Sequence, residues 1–198
     1  MSPHLEHTPQ VVPFHFDLSD HVRRSVATLY SHLVTRPTGQ ALRMGIESQI
    51  RATDGPCVSV LDFTEVVVLD YSCADETVAK LVRRYCAEDR PAPAYFMARG
   101  VAPHHRETLE TVLIRQGMAL VAEVTGVGAR LLGYASELEH AVWRAVEEAG
   151  SLAAADLDER IADPRAGLAA GGLVGRRVVV PGVGGRLHSL SRLALPRL

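Results

Sequence analysis

Asp70, Tyr71, Ser72 and Cys73 place a carboxylate, a phenol, a hydroxyl and a thiol in a row, where the apolar run VVVL ends and a polar segment begins. Such a row could act as a nucleophile. It could also be a switch in which Ser72 takes a phosphate, or a plain helix cap. A thiol at a helix N-terminus can have a lowered pKa, but no histidine and carboxylate or amide can be assigned in sequence to complete a triad with Cys73. A buried, inert thiol is the commoner case. Ser72 fits a cap and a regulated site equally well.

The remaining candidates are weaker. Asp62, Asp70 and Asp75 have the chemistry to hold Mg²⁺, yet aspartate is common at strand ends and helix starts, and that reading is preferred. His104 and His105 are adjacent, so their side chains diverge, and no further ligand follows at metal spacing. They read as a helix-cap or surface pair. His4, His7 and His15 are scattered near the N-terminus. Gly182, Gly184 and Gly185 lie between two strand-like runs rather than between a strand and a helix, so they are not a phosphate loop. No catalytic residue, metal or cofactor is assigned, and the chain reads as a protein other than an enzyme. An enzyme with Ser72 or Cys73 as nucleophile is the competing class.

The elements that position these residues follow from periodicity. Residues 1–12 read as loosely attached. PFHFDL alternates like a first strand, and Asp20 suits a helix cap. Val22, Val26, Leu29, Tyr30, Leu33 and Val34 follow a helical rhythm, with a strand through VATLYSHLV as the alternative. Pro37 ends that element, and Thr38 suits the cap of a helix GQALRMGIESQIRA. CVSVLDF alternates, and VVVLD reads as a strand buried on both faces. SCADETVAKLVRRYCAE reads as a helix with Ser72 at its cap, PAPAYFMARG as a strand, HHRETLETVLIRQG as a helix and MALVAEV as a strand. Helices alternating with strands from 38 to 124 predict an α/β fold with helices packed on a sheet.

On these residues LDFTEVVVLDYSCADETVAKLV resembles the STAS domain of anti-sigma factor antagonists and its STAS-like relatives. The likeness lies in two apolar runs ending in Asp62 and Asp70, followed by small residues that open a helix. It covers about 38 to 124. It implies a STAS-like mixed sheet with helices over 13–125. It further implies a protein partner, a kinase-type anti-sigma factor, that docks on the helix start and phosphorylates the serine at the position of Ser72. Tyr71 and Cys73 depart from the family's D-S-S-G pattern, in which both positions are small.

GVGARLLGYAS reads as a linker over 126–135. ELEHAVWRAVEEAG, AADLDERI and DPRAGLAAGGLV then read as three helices, and GRRVVVPGVGGRLHSL as two strands around a glycine-rich turn. In that order they resemble a small winged helix-turn-helix α+β domain over 136–198, which implies DNA contact or, alternatively, protein docking. The third helix carries only Arg165 as a long polar side chain, a poor set for reading base edges. Arg176, Arg177, Arg186 and His188 of the wing could meet phosphates.

Charge agrees with a polarised chain. Net charge is only −2, but every carboxylate side chain lies at or before Asp163, and the six arginines from Arg165 to Arg197 follow. That tail has a positive field of its own. Three cysteines without a CxxC spacing read as reduced thiols in a cytoplasmic protein. No run is long enough for a membrane span, and MSPHLEHTPQ does not read as a signal peptide. The sequence therefore predicts a bacterial-type regulator that works by protein–protein docking and is compatible with a homodimer. A DNA-binding transcriptional regulator with a ligand-sensing first domain is the second alternative.

Overall fold

The computed structural model describes residues 23–195. The expected strand PFHFDL, the Asp20 cap and the loosely attached start lie outside the described residues. The architecture is mixed α/β. A five-stranded sheet has the order β1 (Arg23–Thr28), β3 (Cys57–Asp62), β5 (Ala94–Val101), β6 (Ala119–Val124) and β7 (Gly128–Gly133). The first four strands run parallel, and β7 returns antiparallel on β6, with Ala119 opposite Gly133 and Val124 opposite Gly128. A separate parallel pair joins β2 (His32–Leu33) to β4 (Val68–Leu69).

The apolar strands are explained by a sheet covered on both faces. Along β3, Cys57 and Leu61 enter one core, while Val58 and Val60 enter another. Phe96 and Ala98 of β5 go one way, and Tyr95 and Met97 the other. With a side-chain period of two, the strands must carry apolar residues on both faces, because neither face meets water. The first face is covered by α1 (Arg36–Arg51), α2 and α3 (Pro103–Arg115). Here α2 is a continuous run of Tyr71–Ala74, a π-helical turn Asp75–Ala79, and Lys80–Cys86.

The second face is covered by the C-terminal elements. These are α4 (Glu137–Ala149), β8 (Ser151–Ala153), α5 (Leu157–Ile161), α6 (Ala166–Gly175), β9 (Val179–Pro181), β10 (Arg186–Ser189) and α7 (Leu190–Ala194). β8, β10 and β9 form a three-stranded antiparallel sheet with β10 in the middle. Helix α7 lies across β3, β5 and β6. Val142, Val146, Leu173 and Leu190 share one core with Val58, Val60, Met97 and Val121 of the large sheet.

Several expectations are corrected. Residues 23–34 form β1 and β2 rather than a helix, because parallel pairing with β3 and β4 outweighs the helical spacing. Pro37 does not end an element; it sits in the first turn of α1, where its missing N–H is harmless, and Thr35 rather than Thr38 is the residue before the helix. The segment 126–135 is not a linker, since β7 fills most of it. VVVLD is not a doubly buried strand: Val66 and Leu69 are buried but Val67 and Val68 are exposed. Among the described residues no helix is long and apolar enough to cross a membrane.

Candidate docking surface at the start of helix α2

Asp70 organises the site. Its N–H donates to the Leu33 carbonyl at 3.0 Å, which fixes it beside the end of β2. One carboxylate oxygen accepts the Cys73 N–H at 2.7 Å and the Ser72 hydroxyl at 2.9 Å; the other accepts the Thr35 N–H at 2.9 Å. Asp70, not Ser72, is thus the N-cap of α2, with an extended backbone and a side chain that satisfies an otherwise orphaned helix N–H. Burial alone would raise the Asp70 pKa. The N–H groups of Cys73 and Thr35 and the Ser72 hydroxyl outweigh it and hold the carboxyl below its ordinary value.

Ser72 lies half-buried in the first turn of α2, with its hydroxyl turned toward Asp70. Tyr71 beside it is 47% exposed. Cys73 is fully buried, with Sγ 3.8 Å from Thr77 Oγ1, and burial pushes its thiol pKa up. An inaccessible thiol held protonated is the opposite of an activated nucleophile.

Asp75 and Glu76, the next carboxylates along the helix, are engaged by cations. Arg36 lies 3.3 Å from Asp75 and 2.8 Å from Glu76. Lys80 bonds Glu76, and Arg43 stands 3.7 Å from it. Glu76 is buried, which raises its pKa, but Lys80 and Arg36 overcome this and hold it ionised. The helix start is therefore not a bare acidic cluster; Asp70 is the carboxylate in contact with the Ser72 hydroxyl.

Around this point large apolar side chains are exposed among polar ones such as His32 and Glu65. Tyr30 is 66% and Val67 62% exposed, and Val34 and Val68 are also exposed. They are carried on hydrogen-bonded neighbours: the Ser31 carbonyl accepts the N–H groups of Val67 and Val68, and Leu33 accepts that of Asp70. Sequence reasoning missed Tyr30, Val34, Val67 and Val68 because an apolar run reads as core. The brevity of VVVLD and the Thr64-Glu65 that precedes it were the available hint.

The C-terminal candidates are used internally. Arg165 forks onto Asp163 through Nε (3.0 Å) and Nη2 (2.7 Å), and this lowers the Asp163 pKa to about 2. Arg176 pairs with Glu139 at 2.9 Å, donates to the Tyr134 carbonyl and lies over the Tyr134 ring. Arg177 donates to the Ala94 carbonyl at 2.6 Å and stacks 4.1 Å over the Tyr95 ring, so it joins the C-terminal elements to β5 rather than facing solvent phosphates. Arg186 holds Ser151 of β8, and His188 packs so closely on Gly182 that a side chain there would collide with it. On α6 the exposed positions are Gly167, Leu168, Gly171 and Gly175, which offer no side-chain hydrogen-bond donor.

His104 and His105 do not diverge as expected: their ring centroids lie 4.0 Å apart. His105 is buried, with Nε2 3.1 Å from the Val66 carbonyl, and burial lowers its pKa. Among the described residues no group of three His, Cys, Asp or Glu side chains is placed to hold a metal ion. Asp62 instead binds Arg99 at 2.7 Å and the Thr64 hydroxyl at 2.6 Å, closing the loop after β3. Comparison with known protein families, characterised proteins and solved structures found no match.

Proposed function

We propose that the protein is a docking regulator: a STAS-like module that receives a protein partner at the start of α2, joined to a winged-helix-like module on its other face. The observation that carries this reading is the exposed apolar rim of Tyr30, Val34, Val67, Val68 and Tyr71 beside a half-buried, rigidly placed Ser72. Apolar side chains exposed together around a polar centre are a common form of protein interface. The order α4, β8, α5, α6, β9, β10 with its three-stranded sheet supports the winged-helix reading of the C-terminal half. The bare outer surface of α6 and the internal pairing of Arg165, Arg176, Arg177 and Arg186 favour protein contact over DNA contact for that half.

A phosphate on Ser72 would have to break the bond to Asp70 and stand beside its ionised carboxylate, so it would reshape the rim. A kinase-type anti-sigma factor is the partner class this chemistry suits. The test is affinity capture from the native host, then a dissociation constant and a thermal midpoint for wild type, Ser72→Ala and Ser72→Glu. Ser72→Glu is expected to weaken binding about tenfold or more, equivalent to about 1.4 kcal/mol. Ser72→Ala should bind as wild type and cost about 0.5–1.5 kcal/mol, the value of one lost hydrogen bond. Equal partner affinity for wild type and Ser72→Glu would leave Ser72 as a structural residue and remove the switch.

A further inference from the structure

A second feature runs along α2 toward its C-terminal end and does not depend on docking at its start. Glu47 of α1 and Glu76 of α2 are both buried where the two helices meet. Arg43 (3.1 Å), Arg51 (3.8 Å) and Arg84 (3.8 Å) converge on Glu47; Arg36, Lys80 and Arg43 converge on Glu76. Asp75 takes a further share of Arg36 and Lys80. Arg83 is held by the Gln116 side chain at 2.9 Å.

Between these helices opens a cavity of about 420 Å³ walled by Arg43, Lys80, Arg83, Arg84, Ala87 and Asp89. Four of its six lining residues are cations and one is a carboxylate. The wider group, Arg36, Arg43, Arg51, Lys80, Arg83 and Arg84 against Glu47, Asp75, Glu76 and Asp89, still leaves two positive charges uncompensated. The Nε of Arg43 is buried without an acceptor. The Nη1 and Nη2 of Arg43 lie against Glu47 and Glu76, so the guanidinium is held in one orientation at the cavity wall.

We propose that this cavity binds an oligophosphate, a chain of two or three phosphoryl groups. The buried glutamates hold Arg43 and Lys80 in place, so an anion finds them already ordered and loses less affinity to side-chain entropy. Arg83 and Arg84 at the rim are exposed, and to close over the ligand they would exchange Gln116 and Glu47 for phosphate oxygens. A multiply charged anion matches four converging cations better than orthophosphate does. None of the lining side chains is aromatic, so recognition rests on the phosphates and not on a base.

The experiment is calorimetric titration of the full chain at low ionic strength with tripolyphosphate, a nucleoside triphosphate and orthophosphate. Tripolyphosphate and the nucleoside triphosphate should each saturate a single site with affinities within about threefold, and orthophosphate should bind about tenfold or more weakly. The Arg83→Gln/Arg84→Gln double variant should weaken tripolyphosphate binding about tenfold or more. Asp89→Asn, which removes the carboxylate of the wall, should tighten it by about twofold to fivefold. No saturable binding of tripolyphosphate, or an affinity unchanged in the double variant, overturns the proposal. A nucleoside triphosphate bound far more tightly than tripolyphosphate overturns its independence of the base. If the double variant does not fold, Asp89→Asn decides alone, and no gain in its affinity overturns the site.

Discussion

At the scale of single residues, Asp70 does the work that Ser72 was expected to do. One carboxylate accepts from Cys73, Thr35 and Ser72, and so ties the first turn of α2 to the start of α1 across 35 residues of chain. Removing it by Asp70→Ala should cost about 1–2 kcal/mol at neutral pH, the upper range for a helix cap. The pH dependence follows from the lowered pKa. A carboxyl whose folded pKa is depressed stabilises the fold above its unfolded value, near 4, and loses that contribution as pH falls through the lower folded value. The gap in thermal midpoint between wild type and Asp70→Ala should therefore be full near pH 6–7 and shrink below about pH 4. A gap that stays constant on acidification would mean that the charged hydrogen bonds contribute nothing and that the loss is one of packing.

At the scale of elements, the pairing of α1 with α2 explains the π-helical turn. Gly39 of α1 stands so close to α2 that a Cβ there would meet the Cys73 carbonyl oxygen at 2.7 Å and the Glu76 Cβ at 2.8 Å. The Thr77 hydroxyl donates to the Gly39 carbonyl, and the wider turn of Asp75–Ala79 brings it there, with the Lys80 N–H reaching back five residues to Asp75. Gly39→Ala should lose about 1–3 kcal/mol by overpacking, although alanine is the better helix former. Gly45→Ala on the same helix meets nothing within 4 Å and should gain up to about 1 kcal/mol. Urea unfolding of both variants checks the pair. A neutral Gly39→Ala would show that α1 and α2 can part at that point without loss.

At the scale of the molecule, the two halves of the chain are one packed body. Val58, Val60, Tyr95, Met97, Val121 and Leu131 of the sheet are buried by α4, α6 and α7, and Arg177 pins the joint onto Ala94 and Tyr95. Neither half can lose the other without exposing an apolar sheet face, so unfolding should be cooperative across both. Trp143 is the only tryptophan and lies in this shared core, so its fluorescence reports the C-terminal half. The thermal transition seen by Trp143 should coincide with that seen by far-ultraviolet circular dichroism. An earlier fluorescence transition would mean that the C-terminal elements detach and unfold on their own.

What the amino-acid order determined was local. CVSVLD, AYFM and ALVAEV announce strands because apolar residues stand at both odd and even positions and so serve both faces. The stripe of Val142, Ala145 and Val146 announces α4, and the polar residues after Leu69 announce a helix beginning near Ser72. The tertiary structure decided which of those apolar residues are covered and which charges are spent. Val67 and Val68 look like core in sequence, yet they lie at and just before a two-residue strand beside His32 and are exposed. The glycine-rich stretch at 126–135 looks like a linker, but the open edge of β6 offers it a ladder of hydrogen bonds. Arg176 and Arg177 look free for phosphates until Glu139, Tyr134, Ala94 and Tyr95 arrive from 37 to 83 residues away. Backbone preference and side-chain period act over a few residues and can be read in order along the chain. Burial and ion pairing depend on what the fold brings alongside from far away, and that partner is absent from any local stretch of sequence.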